Sequence, residues 1–74
     1  MQAEKELQQK LGARIRQLRE RRGWSQETFA HETGFARSFT SGLELGKKDL
    51  RLSTIVKLSR VFGVSISQLF KNLD

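Results

Sequence analysis

One short stretch of the chain combines side chains that hydrogen-bond to nucleic-acid bases with a helical spacing. At about 100° per residue, Arg37, Ser38 and Ser41 fall on one side of a helix predicted over residues 36–45. An arginine can donate two hydrogen bonds to O6 and N7 of guanine, and serines can reach bases or phosphates. The pattern predicts a surface that contacts DNA bases, and the alternative is an ordinary solvated helix face.

The other side of the same predicted helix is suited to packing inside a protein. Ala36, Phe39, Thr40 and Leu43 are mostly apolar and fall together on it. A tight turn at Gly34 precedes the helix, and so short a turn needs a residue that accepts positive φ. Ser25 can cap a second helix, which ends at Gly34. Two helices joined in this way are typical of a helix-turn-helix, whose second helix enters the major groove of DNA.

The first helix is predicted over residues 5–22, because its apolar residues recur at steps of three and four. Gly12 interrupts this pattern at a cost of about 1 kcal/mol relative to alanine. We therefore expect residues 1–10 to form an N-terminal arm or a helix extension. The helix-turn-helix domain is expected to occupy residues 11–74.

Two more helices complete the predicted fold. One covers residues 52–62, where four apolar residues form a single stripe and a glycine follows. The other extends to about residue 73, and Ser65 and Gln68 at its start have the spacing of a capping box. No strand alternation or internal repeat is present. The sequence thus predicts an all-α domain of five short helices.

The charge balance favours a polyanionic partner. The 74 residues include 14 Lys and Arg against 8 Asp and Glu, for a formal charge of +6. Such a balance is typical of proteins that bind nucleic acid or anionic membranes, and also of some merely soluble basic proteins. No apolar run approaches the roughly 20 residues of a membrane span, and the N-terminus does not resemble a secretory signal. We expect a cytoplasmic protein with DNA, and not a membrane, as its partner.

Side chains that build enzyme active sites and metal sites are scarce. The chain has no cysteine and one histidine, His31, and it contains no glycine-rich phosphate loop. These residues cannot assemble a nucleophile–base pair or a cluster of metal ligands. We therefore expect no catalysis, metal, cofactor or small-molecule substrate.

Four segments that follow one another carry a family resemblance. They are LGARIRQLRERRGWSQETFA, HETG, RSFTSGLELGKK and TIVKLSRVFGVSISQLF, within residues 11–70. In this order they resemble the phage-repressor or Cro-like (XRE-type) helix-turn-helix family. The resemblance implies a five-helix, lambda-repressor-like fold. It also implies a transcriptional regulator, bacterial or phage in origin and associated with the nucleoid, that binds specific sequences in double-stranded DNA. The length is similar to that of restriction–modification controller proteins and of small phage repressors.

The resemblance also implies roles for individual residues. Gln26, at the start of the second helix, would contact a phosphate beside the helix N-terminal amides. The arginine and two serines of the third helix would face the bases. Arg19 and Glu44 would form a structural ion pair. Lys47 and Lys48, which follow the third helix, would bind phosphate.

The last predicted helix carries more apolar surface than a thin domain easily buries. We interpret Val64, Ile66, Phe70 and Leu73 as a two-fold dimer contact, and the alternative is that Ile66 and Leu69 complete the core. A dimer would place two third helices about 34 Å apart, one turn of DNA, on a pseudo-palindromic operator.

An alternative function is that of an antitoxin, which binds DNA and also holds a toxin. The apolar C-terminal helix or the N-terminal arm would provide the contact with the toxin. A tightly co-purifying partner would distinguish this function from that of a homodimeric regulator. The chain has no disordered tail of the kind that wraps a toxin, so the sequence favours the regulator.

Overall fold

This computed structural model describes residues 2–73 of the chain. Five α-helices, joined by turns and short loops, form this part of it. They are α1 (Gln2–Arg21), α2 (Gln26–Thr33), α3 (Arg37–Glu44), α4 (Leu52–Phe62) and α5 (Ile66–Leu69). The predicted all-α, five-helix class is confirmed. α1 begins earlier than the pattern predicted, and α5 ends at Leu69 instead of near residue 73. Within the described residues, no helix is both long and apolar enough to cross a bilayer.

Local capping signals determine where α2 and α5 begin and where α2 ends. Ser25 Oγ accepts a hydrogen bond of 3.0 Å from the amide of Thr28, at the start of α2. Ser65 and Gln68 form the predicted capping box, in which each side chain accepts from the other residue's amide. α2 ends at Gly34, which is left-handed with φ 79°. The tight turn that separates α2 from α3 therefore follows from a residue without a Cβ.

Gly12 lies inside α1, and the helix continues through it without interruption. A Cβ on Gly12 would lie 2.6 Å from the backbone oxygens of Leu43 and Glu44 in α3. Since such a distance is too short for real atoms, only glycine permits this approach of the two helices. Residues 2–10 continue α1, and the glycine that suggested a break is instead the point where α1 and α3 cross.

The core lies between the five helices, where α1 and α2 pack on the inner side of α3, α4 packs on α2 and α5, and α5 packs on α1. Its buried apolar residues are Leu11, Ile15, Leu18, Phe29, Leu43, Leu58, Phe62, Leu69 and Leu73. The rings of Phe29 and Phe62 stack with centroids 5.2 Å apart, and Trp24 lies against both. Thr40 is also fully buried, and its hydroxyl donates to the carbonyl of Ala36 at 3.1 Å. Because that hydroxyl has a partner, α3 tolerates a polar residue on its inner side.

Candidate nucleic-acid interface

α3 has one closed side and one open side. Thr40, Leu43 and Glu44 are buried against the rest of the protein. On the opposite side Arg37 and Ser38 are exposed, and Ser41 is half-buried. The three residues predicted to face bases therefore lie on the outer part of the helix, with Arg37 at its first position.

A buried ion pair fixes α3 from its inner side. Arg19 Nε lies 2.6 Å from Glu44 Oε2, and Arg19 Nη2 donates to Glu44 Oε1 at 3.1 Å. Both residues are only 8% exposed. The hydrogen bond to Glu44 raises the pKa of the Arg19 guanidinium above its ordinary value, although burial acts in the opposite direction. The structure thus brings together the two residues expected to pair, and their two parallel bonds set the orientation of α3.

The same carboxylate also holds the start of α2. Gln26 Nε2 donates to Glu44 Oε1 at 3.0 Å, and Arg19 Nη1 donates to the backbone oxygen of Trp24 at 2.7 Å. α1, the α1–α2 turn, α2 and α3 are therefore linked through one cluster of polar groups. The bond between Gln26 and Glu44 was not expected, because local spacing does not pair residues 18 positions apart and the family resemblance implied only the pair of Arg19 with Glu44. It keeps the half-buried Gln26 side chain beside the first turn of α2.

The segment after α3 folds back onto that helix. The amide of Lys47 donates to the oxygen of Gly42 at 2.9 Å, and Lys47 and Lys48 are both exposed. The ammonium of Lys48 lies 5.9 Å from the centre of the Phe39 ring. Lys48 thus lies along α3, and Lys47 is exposed beyond the C-terminal end of that helix.

A third lysine, Lys57, lies close to the pair of aromatic rings that Phe35 and Phe39 form. Phe39 packs edge-on against Phe35, with ring centroids 5.0 Å apart. The ammonium of Lys57 in α4 lies 5.5 Å from the centre of the Phe35 ring. The sequence did not indicate this position of Lys57, because only the packing of α4 beside the Gly34 turn brings its side chain here. One signal was available, since Lys57 lies opposite the apolar stripe of its helix.

The apolar residues near the C-terminus do not share one environment. Ile66 is 44% exposed, and Val64 and Phe70 are half-buried. The sequence assigns Leu73 to a dimer contact, whereas the structure places it in the core with 8% of its surface exposed. The chain turns after α5 and carries Leu73 inward, so this residue has little surface to offer a partner. Leu69 is fully buried and does complete the core.

The arrangement of α2, the Gly34 turn and α3 corresponds to a known family. A family model described as Helix-turn-helix (HTH_3) matches residues 15–69, which include all three of these parts. The chain belongs to this family. The predicted XRE-type resemblance is confirmed, and membership makes this helix-turn-helix protein a DNA-binding transcriptional regulator.

Several relatives of the helix-turn-helix protein are named as controllers or regulators. The control protein C.MunI from a Mycoplasma species is 32% identical over 66 residues, which cover 88% of this chain and 89% of that protein. The crystal structure of the restriction-modification controller protein C.AhdI from Aeromonas hydrophila is similar with a TM-score of 0.78 and 39% identity. That match covers 84% of this chain and 94% of C.AhdI. A hypothetical transcription factor from Neisseria meningitidis is 35% identical over 66 residues, 89% of this chain but 62% of that protein.

Proposed function

We propose that the protein is a sequence-specific regulator that binds a pseudo-palindromic operator in double-stranded DNA as a homodimer. The observation that supports this proposal is the contrast between the two sides of α3. The inner side is held by Glu44 and Arg19, and the outer side presents Arg37 and Ser38 to solvent. A helix that is fixed from behind and free in front suits the major groove.

Arg37 is the residue proposed to discriminate most strongly between bases. It is exposed at the start of α3, and within residues 2–73 it takes part in no salt bridge. Its guanidinium is therefore free to donate to O6 and N7 of a guanine, a contact worth about 1–3 kcal/mol of discrimination. Ser38 and Ser41 contribute shorter-range contacts to neighbouring bases or phosphates.

Gln26 and Lys47 are proposed to contact the DNA backbone. Gln26 is held by Glu44 at the first position of α2, where helix amides carry partial positive charge. Lys47 is exposed beyond the C-terminal end of α3. Contacts on both sides of α3 would set its register in the groove without reading sequence.

Ile66 is the proposed centre of the homodimer contact, flanked by Val64 and Phe70. It is the most exposed of these three apolar residues, and a two-fold interface needs a surface that can pack against its own copy. A chain of this size has a thin core, so pairing would also stabilise it. The likeness to C.AhdI and C.MunI supports a controller-type role. Such a regulator would act in the cytoplasm, and its own concentration would set the occupancy of the operator.

Selection of bound duplexes from a random pool tests the proposed function. The enriched sequences should contain two inverted half-sites, with centres about one helical turn apart. Binding to them should weaken steeply as salt rises, because counterions are released on binding. If no sequence is more frequent in the bound fraction than in the starting pool, the proposal of sequence-specific binding is wrong.

The dimer is tested separately by sedimentation equilibrium of two matched variants. Ile66→Asp should shift the protein toward monomers and reduce affinity for the two-half-site duplex. Leu7→Asp is the control, since Leu7 is 40% exposed but lies on α1. If both variants self-associate as strongly as the unmodified protein, the surface around Ile66 is not the dimer contact.

A further inference from the structure

Gly42 leaves a gap on the outer side of α3, and the stem of Lys48 fills it. A Cβ on Gly42 would lie 2.7 Å from Lys48 Cε, with Cγ and Cδ at 3.5 and 3.6 Å. The lysine therefore crosses the helix at the position where another residue's side chain would stand. Glycine lowers helix stability in such a position, and here it provides the space that Lys48 occupies.

Backbone hydrogen bonds hold the segment that delivers Lys48 in this position. The amide of Gly46 donates to the oxygen of Leu43 at 3.1 Å, and that of Lys47 donates to Gly42 at 2.9 Å. These two bonds turn the chain back along α3. The ammonium of Lys48 then lies 5.9 Å from the ring centre of Phe39, which precedes Gly42 by three positions. Phe39 was predicted to pack inside the protein, but it is half-buried, so the ammonium lies at the edge of α3 that Gly42 and Phe39 form, nearer than Gly42 to the end that carries Arg37.

We propose that Lys48 reads a base, by donating from its ammonium to the acceptors O6 and N7 of a guanine in the major groove. This inference rests on the proposed function, because it requires the outer side of α3 to face the bases. Lysine is one of the side chains that make this contact with guanine. Lys48 takes part in no salt bridge within the described residues, so its donors are available to a nucleic acid.

The path of the side chain favours a base over a phosphate. Phosphates form the walls of the groove, whereas the outer surface of an inserted helix meets the base edges on its floor. The stem of Lys48 lies across that outer surface at Gly42 and does not extend away from the helix. Lys48 thus differs in role from Lys47, and it supplies the long side chain that Gly42 lacks.

Duplex selection with two variants tests this role. Lys48→Met keeps an unbranched apolar chain over Gly42 and removes the ammonium. Gly42→Ala introduces a methyl group that displaces the flexible end of Lys48 and leaves the helix backbone in place. Each variant should lose roughly tenfold in preference at the same one base pair of each half-site. The double variant should lose no more than Lys48→Met alone.

The outcomes separate this proposal from the function on which it rests. If the unmodified protein selects an operator and Lys48→Met binds all duplexes more weakly by the same factor, Lys48 is a phosphate contact and only this inference is overturned. If the unmodified protein selects no sequence, both are overturned. Lys47→Ala is the control and should keep the selected sequence unchanged. Melting curves followed by circular dichroism establish that each variant is folded.

Discussion

Gly12 and Gly42 are both glycines inside helices, and they differ in what approaches them. At Gly12 a Cβ would lie 2.6 Å from two backbone oxygens of α3, whereas at Gly42 it would meet the flexible end of Lys48. The cost to helix propensity is the same at the two positions, about 1 kcal/mol. Backbone cannot move aside, but a lysine can. The first glycine therefore contributes to stability, and the second shapes the surface that faces outward.

The two glycines mark the two sides of α3. On the inner side, at Gly12, the helix is held by close backbone contact with α1 and by the bonds between Glu44 and Arg19. On the outer side, at Gly42, the side chains are small or exposed and are not held by buried partners. Changes on the inner side should therefore reduce stability, and changes on the outer side should alter DNA recognition while the fold persists.

Glu44→Ala should have the largest effect on the inner side. It leaves the Arg19 guanidinium buried without its carboxylate and removes the acceptor of Gln26. Breaking one partner of a buried pair costs about 3–5 kcal/mol. The free energy of unfolding in urea, followed by circular dichroism, measures this loss.

Glu20→Ala is the matched control for this loss. Glu20 pairs with Arg16 at 3.3 Å, but the two side chains are 55% and 63% exposed. Solvent screens such a pair, so its removal should change the free energy of unfolding by less than about 0.5 kcal/mol. Similar losses in Glu44→Ala and Glu20→Ala would mean that the inner side does not hold α3.

Gly12→Ala should cause the next largest loss of stability. The added methyl group cannot fit against the oxygens of Leu43 and Glu44 without separating α1 from α3. Overpacking of this kind costs about 1–3 kcal/mol. Gly42→Ala, in contrast, should be neutral or stabilise the protein by up to about 1 kcal/mol, since the new side chain meets only the end of Lys48. Melting temperatures that fall equally in both variants would contradict the distinction between the two glycines.

Local patterns predicted much of this architecture, and contacts between distant residues account for what they missed. The capping box at Ser65, the turn at Gly34 and the outward side of α3 depend on residues a few positions apart. The close approach at Gly12 depends on Leu43 and Glu44, which lie more than 30 positions away in the chain. A glycine's effect on helix propensity is visible in sequence, but the helix that crosses it is not.

The same limit applies to the predicted interface residues. The outward positions of Arg37 and Ser38 follow from the helical period alone. The position of Leu73 does not, because α5 ends at Leu69 and a turn then carries the chain back to the core. A helix continued to residue 73 would have kept it in register with Ile66 and Phe70. The early end of α5 therefore separates a residue that the pattern grouped with them.

Arg37→Ala should alter base preference and leave the fold intact, as expected for a residue on the outer side of α3. Arg37 is exposed and has no salt-bridge partner among residues 2–73, so the free energy of unfolding should change by no more than about 0.5 kcal/mol. Discrimination at one base pair of each half-site should fall by about 1–3 kcal/mol. Competition binding with duplexes that differ at single positions measures this preference. A large loss of stability with unchanged base preference would place Arg37 on the structural side of α3.

Lys47→Ala should have the smallest effect, a loss of affinity for all DNA sequences with no change in base preference. Its amide donates to the oxygen of Gly42, and its side chain is exposed beyond the end of α3, the position proposed for a phosphate contact. Affinity should fall by a similar factor for the operator and for random duplexes. The slope of log affinity against log salt should become shallower by about 1 for each protomer, because one fewer counterion is released. Titrations at several salt concentrations with both duplexes measure this slope. A loss confined to the operator would instead mean that Lys47 reads sequence, and the outer side of α3 would then extend past its last turn.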